Sequence, residues 1–93
     1  MEEDLETWAR ETIFQSGGLM VKWVAPGLKG PPDNIVFWPG QIVHFLEFKY
    51  NRANPDRVQQ EFHKKLYAFG HVVKIPRSRD WILKYINEYA PCR

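Results

Sequence analysis

The sequence predicts an α/β domain in which a small mixed sheet is flanked by helices, in the order α-β-β-β-α-β-α. Three observations carry that prediction. Apolar residues recur at helical spacing in three separate segments. Two strand-like runs flank a Pro39-Gly40 turn. A further short strand, "HVVKI" (71–75), follows a helix and is expected to pair in parallel through a right-handed crossover. The 93 residues suggest one domain, 1–93, with little room for a second core.

Each element has its own signal. Leu5, Trp8, Ala9, Thr12 and Ile13 mark the first helix, with Asp4 as N-cap and Gly17-Gly18 as its end. "LMVKWV" (19–24) is a strand by composition. "APGLKGPPD" (25–33) is loop, because its prolines and glycines suit neither a helix nor a strand interior. "NIVFW" and "QIVHFLEFKY" form a hairpin around Pro39-Gly40. Asn54-Pro55 is expected to open the second helix, with Asn as cap and Pro at the first helical position. Val58, Phe62, Leu66 and Phe69 give that helix an apolar stripe, and Gly70 stops it. The last helix runs from about Ser78 to Tyr89, with Trp81, Ile82, Tyr85, Ile86 and Tyr89 inward.

Composition narrows the class. Four Trp, four Tyr and six Phe can fill a sizeable core in a short chain. A formal net charge of +2 allows a nucleic-acid partner without making the chain a polycation. Cys92 is the only cysteine, which excludes an intramolecular disulfide and a cysteine zinc site and fits a reducing compartment. The acidic start, MEEDLE, is wrong for a signal or transit peptide. No apolar run approaches the roughly 20 residues that a membrane span needs. A soluble protein of the cytoplasm is expected.

The charges in the hairpin point to chemistry. Side chains alternate faces along a strand. Val43, Phe45, Glu47 and Lys49 therefore share one face of their strand, and Asp33, Ile35 and Phe37 share one face of theirs. Each apolar face ends in charge, and the two charged ends are neighbours in an antiparallel hairpin. A register pairing residue 37 with 43 carries 33 to 47, and it needs a three-residue turn, Pro39-Gly40-Gln41, or a bulge. A two-residue turn would put Asp33 and Glu47 on opposite faces, and Pro39 cannot supply the positive φ that such turns prefer. The odd-length turn is therefore expected. Two carboxylates so placed repel, and one takes up a proton unless a cation lies between them. Hard cations such as Mg²⁺ use few carboxylates and keep several waters. A lysine alongside can hold a water or neutralise charge on a phosphate. Taken singly, Glu-x-Lys is more often a solvated strand face, and Asp33 equally suits a turn. The joint pattern is the more specific signal.

These residues resemble the PD-(D/E)XK nuclease superfamily, with Pro32-Asp33 as "PD" and Glu47-Phe48-Lys49 as "(D/E)XK". Within it the chain is similar to the VRR-NUC family, in the short stand-alone form that phages and bacteria encode. The matching set is Glu6, Gly17-Gly18, Lys22, Gly30-Pro31-Pro32-Asp33, Glu47-Phe48-Lys49, Gln59 and Leu66-x-x-x-Gly70. It covers residues 5 to 86 or so; "PD…ExK" alone matches many sequences, and the ordered set is what discriminates. Pro31 departs from the pattern, where an aliphatic residue is usual.

The resemblance implies a restriction-endonuclease-like core and a set of roles. Asp33 and Glu47 would bind Mg²⁺ or Mn²⁺, with the Phe48 carbonyl as a further ligand. Lys49 would position or activate the attacking water, and Gln59 would support it. Glu6 would assist the metal directly or through water. Gln60 and Glu11 are the rivals to Gln59 and Glu6, and spacing favours the latter two.

The other polar residues are less specific. Lys22, Lys29, Arg52 and Arg77 lie near the strand ends and are candidates for phosphate contacts, although any one of them is more often a solvated charge. His63 sits one helical turn after Gln59, where a helix-packing role outweighs reach to the site. His44 falls on the opposite face, and His71 follows the helix-ending glycine. Trp23 and Trp38 suit core packing better than base stacking. The expected activity is metal-dependent DNA endonuclease chemistry with little sequence preference, on branched or Holliday-junction-like DNA, by a homodimer. The alternatives are an inactive nuclease fold that binds DNA and a protein-interaction adaptor.

Overall fold

The computed structural model describes residues 4–49 and 54–91. Helix α1 spans Leu5–Gln15, strand β1 Leu19–Lys22, β2 Asn34–Trp38, β3 Ile42–Leu46, α2 Arg57–Ala68, β4 Val73–Lys74 and α3 Arg79–Tyr89. The strands form one sheet in the order β1-β2-β3-β4. The first two pairings are antiparallel, and β4 joins β3 in parallel. The element order and the mixed sheet are those the sequence predicts.

One face of the sheet is packed by α1 and α3. Asp4 caps α1 by accepting the Thr7 backbone N–H at 2.8 Å. The helix then buries Leu5, Ala9 and Ile13, four residues apart and on one side. Ser78 caps α3, which buries Ile82, Tyr85 and Ile86. These side chains meet Met20, Val36, Trp38, Leu46 and Phe48 to form the core. The Trp38 indole N–H donates to the Tyr85 hydroxyl at 2.8 Å, and His44 Nδ1 lies 2.6 Å from the same oxygen. Burial pushes the His44 pKa down, and its ring packs against Tyr85 and Tyr89.

The β2–β3 hairpin has the odd-length turn. Trp38 pairs with Ile42 and Phe37 with Val43, leaving Pro39, Gly40 and Gln41 as the loop. Gly40 and Gln41 take positive φ values of 91° and 66°, which reverses the chain in three residues. The register carries Ile35 to Phe45 and Asn34 to Leu46. Asp33 and Glu47 are thus the next residues out on their two strands.

Helix α2 lies against the other face and differs from expectation in two ways. Its N-cap is Asp56 rather than Asn54. Asp56 accepts the Gln59 N–H at 2.8 Å, and the Gln59 side-chain oxygen accepts the Asp56 N–H at 3.0 Å. That reciprocal capping box satisfies two backbone donors, so the helix starts after Asp56 and Pro55 stays outside it. The second difference is burial. None of the α2 residues is buried; Val58 is exposed, and Phe69 is 82% exposed. Only part of the expected stripe reaches the sheet, with Phe62 meeting Trp23 edge to face at 5.8 Å. Trp23 also packs on Phe45 at 5.6 Å. Both tryptophans singled out in the sequence therefore pack against protein. Among the described residues, no helix is long and apolar enough to cross a membrane.

Candidate active site

The chain just beyond β2 and β3 is fixed by backbone hydrogen bonds. The Trp23 N–H donates to the Asp33 carbonyl at 2.9 Å. The Glu47 and Lys49 N–H groups donate to the carbonyls of Lys74 and Pro76, at 2.9 and 3.1 Å. The parallel ladder with β4 thus continues past the end of β3. Strand alternation is preserved across Glu47-Phe48-Lys49, so Phe48 enters the core while its two charged neighbours share the α2 side. The Phe48 N–H closes the arrangement by donating to Asp33 Oδ2 at 3.2 Å.

Glu47 is the central group. It is only 1% exposed, which is unusual for a carboxylate. Its Oε2 accepts from the Gln59 side-chain amide at 3.0 Å and lies 3.8 Å from Lys49 Nζ. Its Oε1 is buried without a hydrogen-bond partner. Burial, and next the Asp33 carboxylate, push the Glu47 pKa up to about 7, while Lys49 pulls it the other way.

Gln59 links helix and site. Its amide oxygen completes the α2 capping box while its amide nitrogen donates to Glu47. Both ends of one amide are used, which fixes its orientation. Gln60 instead donates to the Pro55 carbonyl at 2.8 Å. The cap that sets this geometry is visible in the sequence as Asp56-x-x-Gln59, a signal the choice of Asn54 passes over.

Glu6 lies in an adjoining ion network. Its carboxylate accepts from Lys22 at 2.9 Å, from Arg10 at 3.4 Å and from the Asn34 amide at 3.1 Å. Glu6 is thus tied to Asn34, the residue next to Asp33 in the chain, and to Lys22 and Arg10. Asn34 is fully buried and was not singled out in the sequence; a polar residue at the mouth of an otherwise apolar strand was the available signal. Glu11 is exposed on α1. Lys22 is held by Glu6, whose hydrogen bond raises its pKa. Lys29 is exposed in the loop before Asp33, and Arg77 donates to Asn54 at 3.2 Å. Arg52 lies outside the described residues.

The donor set suits a small hard cation. Two neighbouring carboxylates, one carrying a bare buried oxygen, match a metal that takes few protein ligands and keeps its waters. Among the described residues there is no cluster of three or more His, Cys, Asp or Glu able to hold an ion. A cation between Asp33 and Glu47 would give Oε1 a partner and favour the ionised form of Glu47.

A sheet carrying Asp and Glu-x-Lys at the ends of a hairpin, with a helix glutamine on the Glu, defines a PD-(D/E)XK-type nuclease core. Comparison with known proteins agrees. A solved structure described as a VRR_NUC domain superposes with a TM-score of 0.81 at 29% identity, covering 90% of this chain and 91% of that one. The protein "Putative nuclease p44" of Acyrthosiphon pisum secondary endosymbiont phage 1 is 33% identical over 79 residues, 85% of each chain. No family model matches the chain. With that identity, coverage and fold, the chain belongs to the VRR-NUC family.

Proposed function

We propose that the chain, as a single nuclease domain over residues 1–93, is a Mg²⁺- or Mn²⁺-dependent endonuclease that hydrolyses DNA phosphodiester bonds. The observation that carries this reading is the buried Glu47 carboxylate, with Oε1 bare, Asp33 beside it and Lys49 and Gln59 on Oε2. Asp33, Glu47 and the Phe48 carbonyl would hold the metal. When bound, it supplies Lewis-acid stabilisation of charge on the phosphate. Lys49 holds the attacking water and takes up charge beside it. Gln59 keeps the Glu47 carboxylate in one orientation. Glu6, through Asn34, steadies the backbone next to Asp33. Lys22, Lys29, Arg52 and Arg77 supply phosphate contacts, which position DNA without reading its sequence.

Structure selectivity follows from the small footprint. One active site cuts one strand, so paired cuts on a branched or junction substrate require a C₂ homodimer. The working compartment is the cytoplasm, that of the host if a phage encodes the chain. The test is cleavage of linear, flapped and four-way DNA with Mg²⁺, Mn²⁺ or chelator. Expected is metal-dependent cutting that favours branched DNA. Cutting that persists in chelator overturns the metal assignment, and equal rates on all substrates overturn the selectivity.

A further inference from the structure

A cleft of about 300 Å³ lies between the C-terminal half of α2 and strand β4. It is lined by His63, Lys64, Tyr67, His71, Val72 and Val73, three of them ring-bearing residues. Tyr67 is 70% exposed and Val72 62% exposed, so aromatic and apolar surface is left open there. The His71 ring is braced edge-on against Phe45 at 5.3 Å. His63 lies one turn along α2 from Gln59, the residue bonded to Glu47. One turn of helix is about 5.4 Å, so the His63 end of the cleft lies one turn along α2 from the residue that bonds Glu47, and the Tyr67 end a further turn away. His63 Nε2 is buried without a hydrogen-bond partner, and the pKa of His63 is pushed down first by burial.

We propose that this cleft receives an unstacked nucleobase of the DNA strand being cut, next to the scissile phosphate. The inference rests on the nuclease reading and names what selects its substrate. Rings with an adjacent cation are the composition on which bases stack irrespective of sequence. The volume falls at the small end of ligand pockets, room for one planar ring system. A continuous duplex keeps its bases inside the stack. A flap, gap or junction can deliver one at little unstacking cost.

The binding experiment uses the full chain with Lys49→Ala and flapped oligonucleotides carrying 2-aminopurine at successive positions around the junction. One position is expected to change emission on binding, and Tyr67→Ala with His71→Ala is expected to abolish that change. In the protein with Lys49 intact, the same pair of substitutions lowers kcat/KM on flapped DNA about tenfold relative to linear duplex. Phe14→Ala, an exposed aromatic on α1, is the control and leaves that ratio unchanged. An emission change that survives loss of both rings overturns the cleft assignment while leaving the nuclease reading intact. A ring-dependent emission change in a protein that cuts no DNA keeps the cleft and removes the nuclease reading. If the double variant instead changes only the mass in solution, the surface belongs to a second copy of the chain and the nucleobase assignment falls.

Discussion

The two faces of the sheet are built for different tasks. The face under α1 and α3 is closed, with Ala9, Ile13, Val36, Leu46 and Ile82 all fully buried. The face under α2 is half covered: its helix buries none of its own residues, and Leu19, Phe37 and Val43 stay exposed in one cross-strand row. The most buried charge in the described structure, Glu47, points to this thinner side. Hydrophobic packing on one side supplies the stability that lets the other side hold a buried carboxylate with one oxygen unpartnered. Removing material from the first face should cost folding, and removing charge from the second should cost chemistry.

The largest separation is expected from Lys49→Ala. It should lower metal-dependent cleavage by at least about 10²–10⁴-fold, the range for a positioned proton-handling group, with the thermal midpoint nearly unchanged. A purified variant that cuts at the wild-type rate would sink the lysine assignment. Ile82→Ala acts on the opposite face. It should destabilise the chain by about 2–5 kcal/mol in denaturant unfolding, with the specific activity of the folded fraction retained. A loss of activity beyond the loss of folded protein would show that the faces are coupled.

The smallest effect concerns Glu47 itself. Its folded pKa, about 7, is raised above the ordinary 4.5. At low pH the carboxyl is protonated whether folded or not, so it contributes no penalty. The penalty appears as pH rises past about 4.5 and is complete above about 7. Metal-free wild type should therefore lose stability relative to Glu47→Gln between those pH values, on the order of 3 kcal/mol. Urea midpoints for both proteins at pH 4, 6 and 8 check this. Saturating Mg²⁺ should restore the wild type at pH 8 and leave Glu47→Gln unmoved. A constant difference across pH would mean that Glu47 ionises normally.

The hairpin was legible from residues because face alternation and the φ limits of Pro39 leave one register that joins Asp33 to Glu47. The helices of the closed face were legible because burial there follows their period. Helix α2 was harder. A stripe such as Val58, Phe62, Leu66 and Phe69 gives apolar spacing without saying whether a sheet lies beneath all of it. Its start was misplaced because Asn54-Pro55 and Asp56-x-x-Gln59 are both acceptable openings, and only the second uses its glutamine twice. The Glu6 network was partly hidden, since no spacing rule couples residue 6 to Lys22 and Asn34 before the chain is folded.

Gly30 has a last consequence. It adopts φ 92°, and a Cβ there would sit 2.5 Å from the Val58 carbonyl oxygen in the opening turn of α2. The loop that delivers Asp33 and the helix that delivers Gln59 are thereby wedged together at one bare backbone contact. Acid and amide are gauged against each other by that spot, some distance from the hydrophobic interior. A single methyl group inserted there should push the Asp33 loop and the Gln59 helix apart.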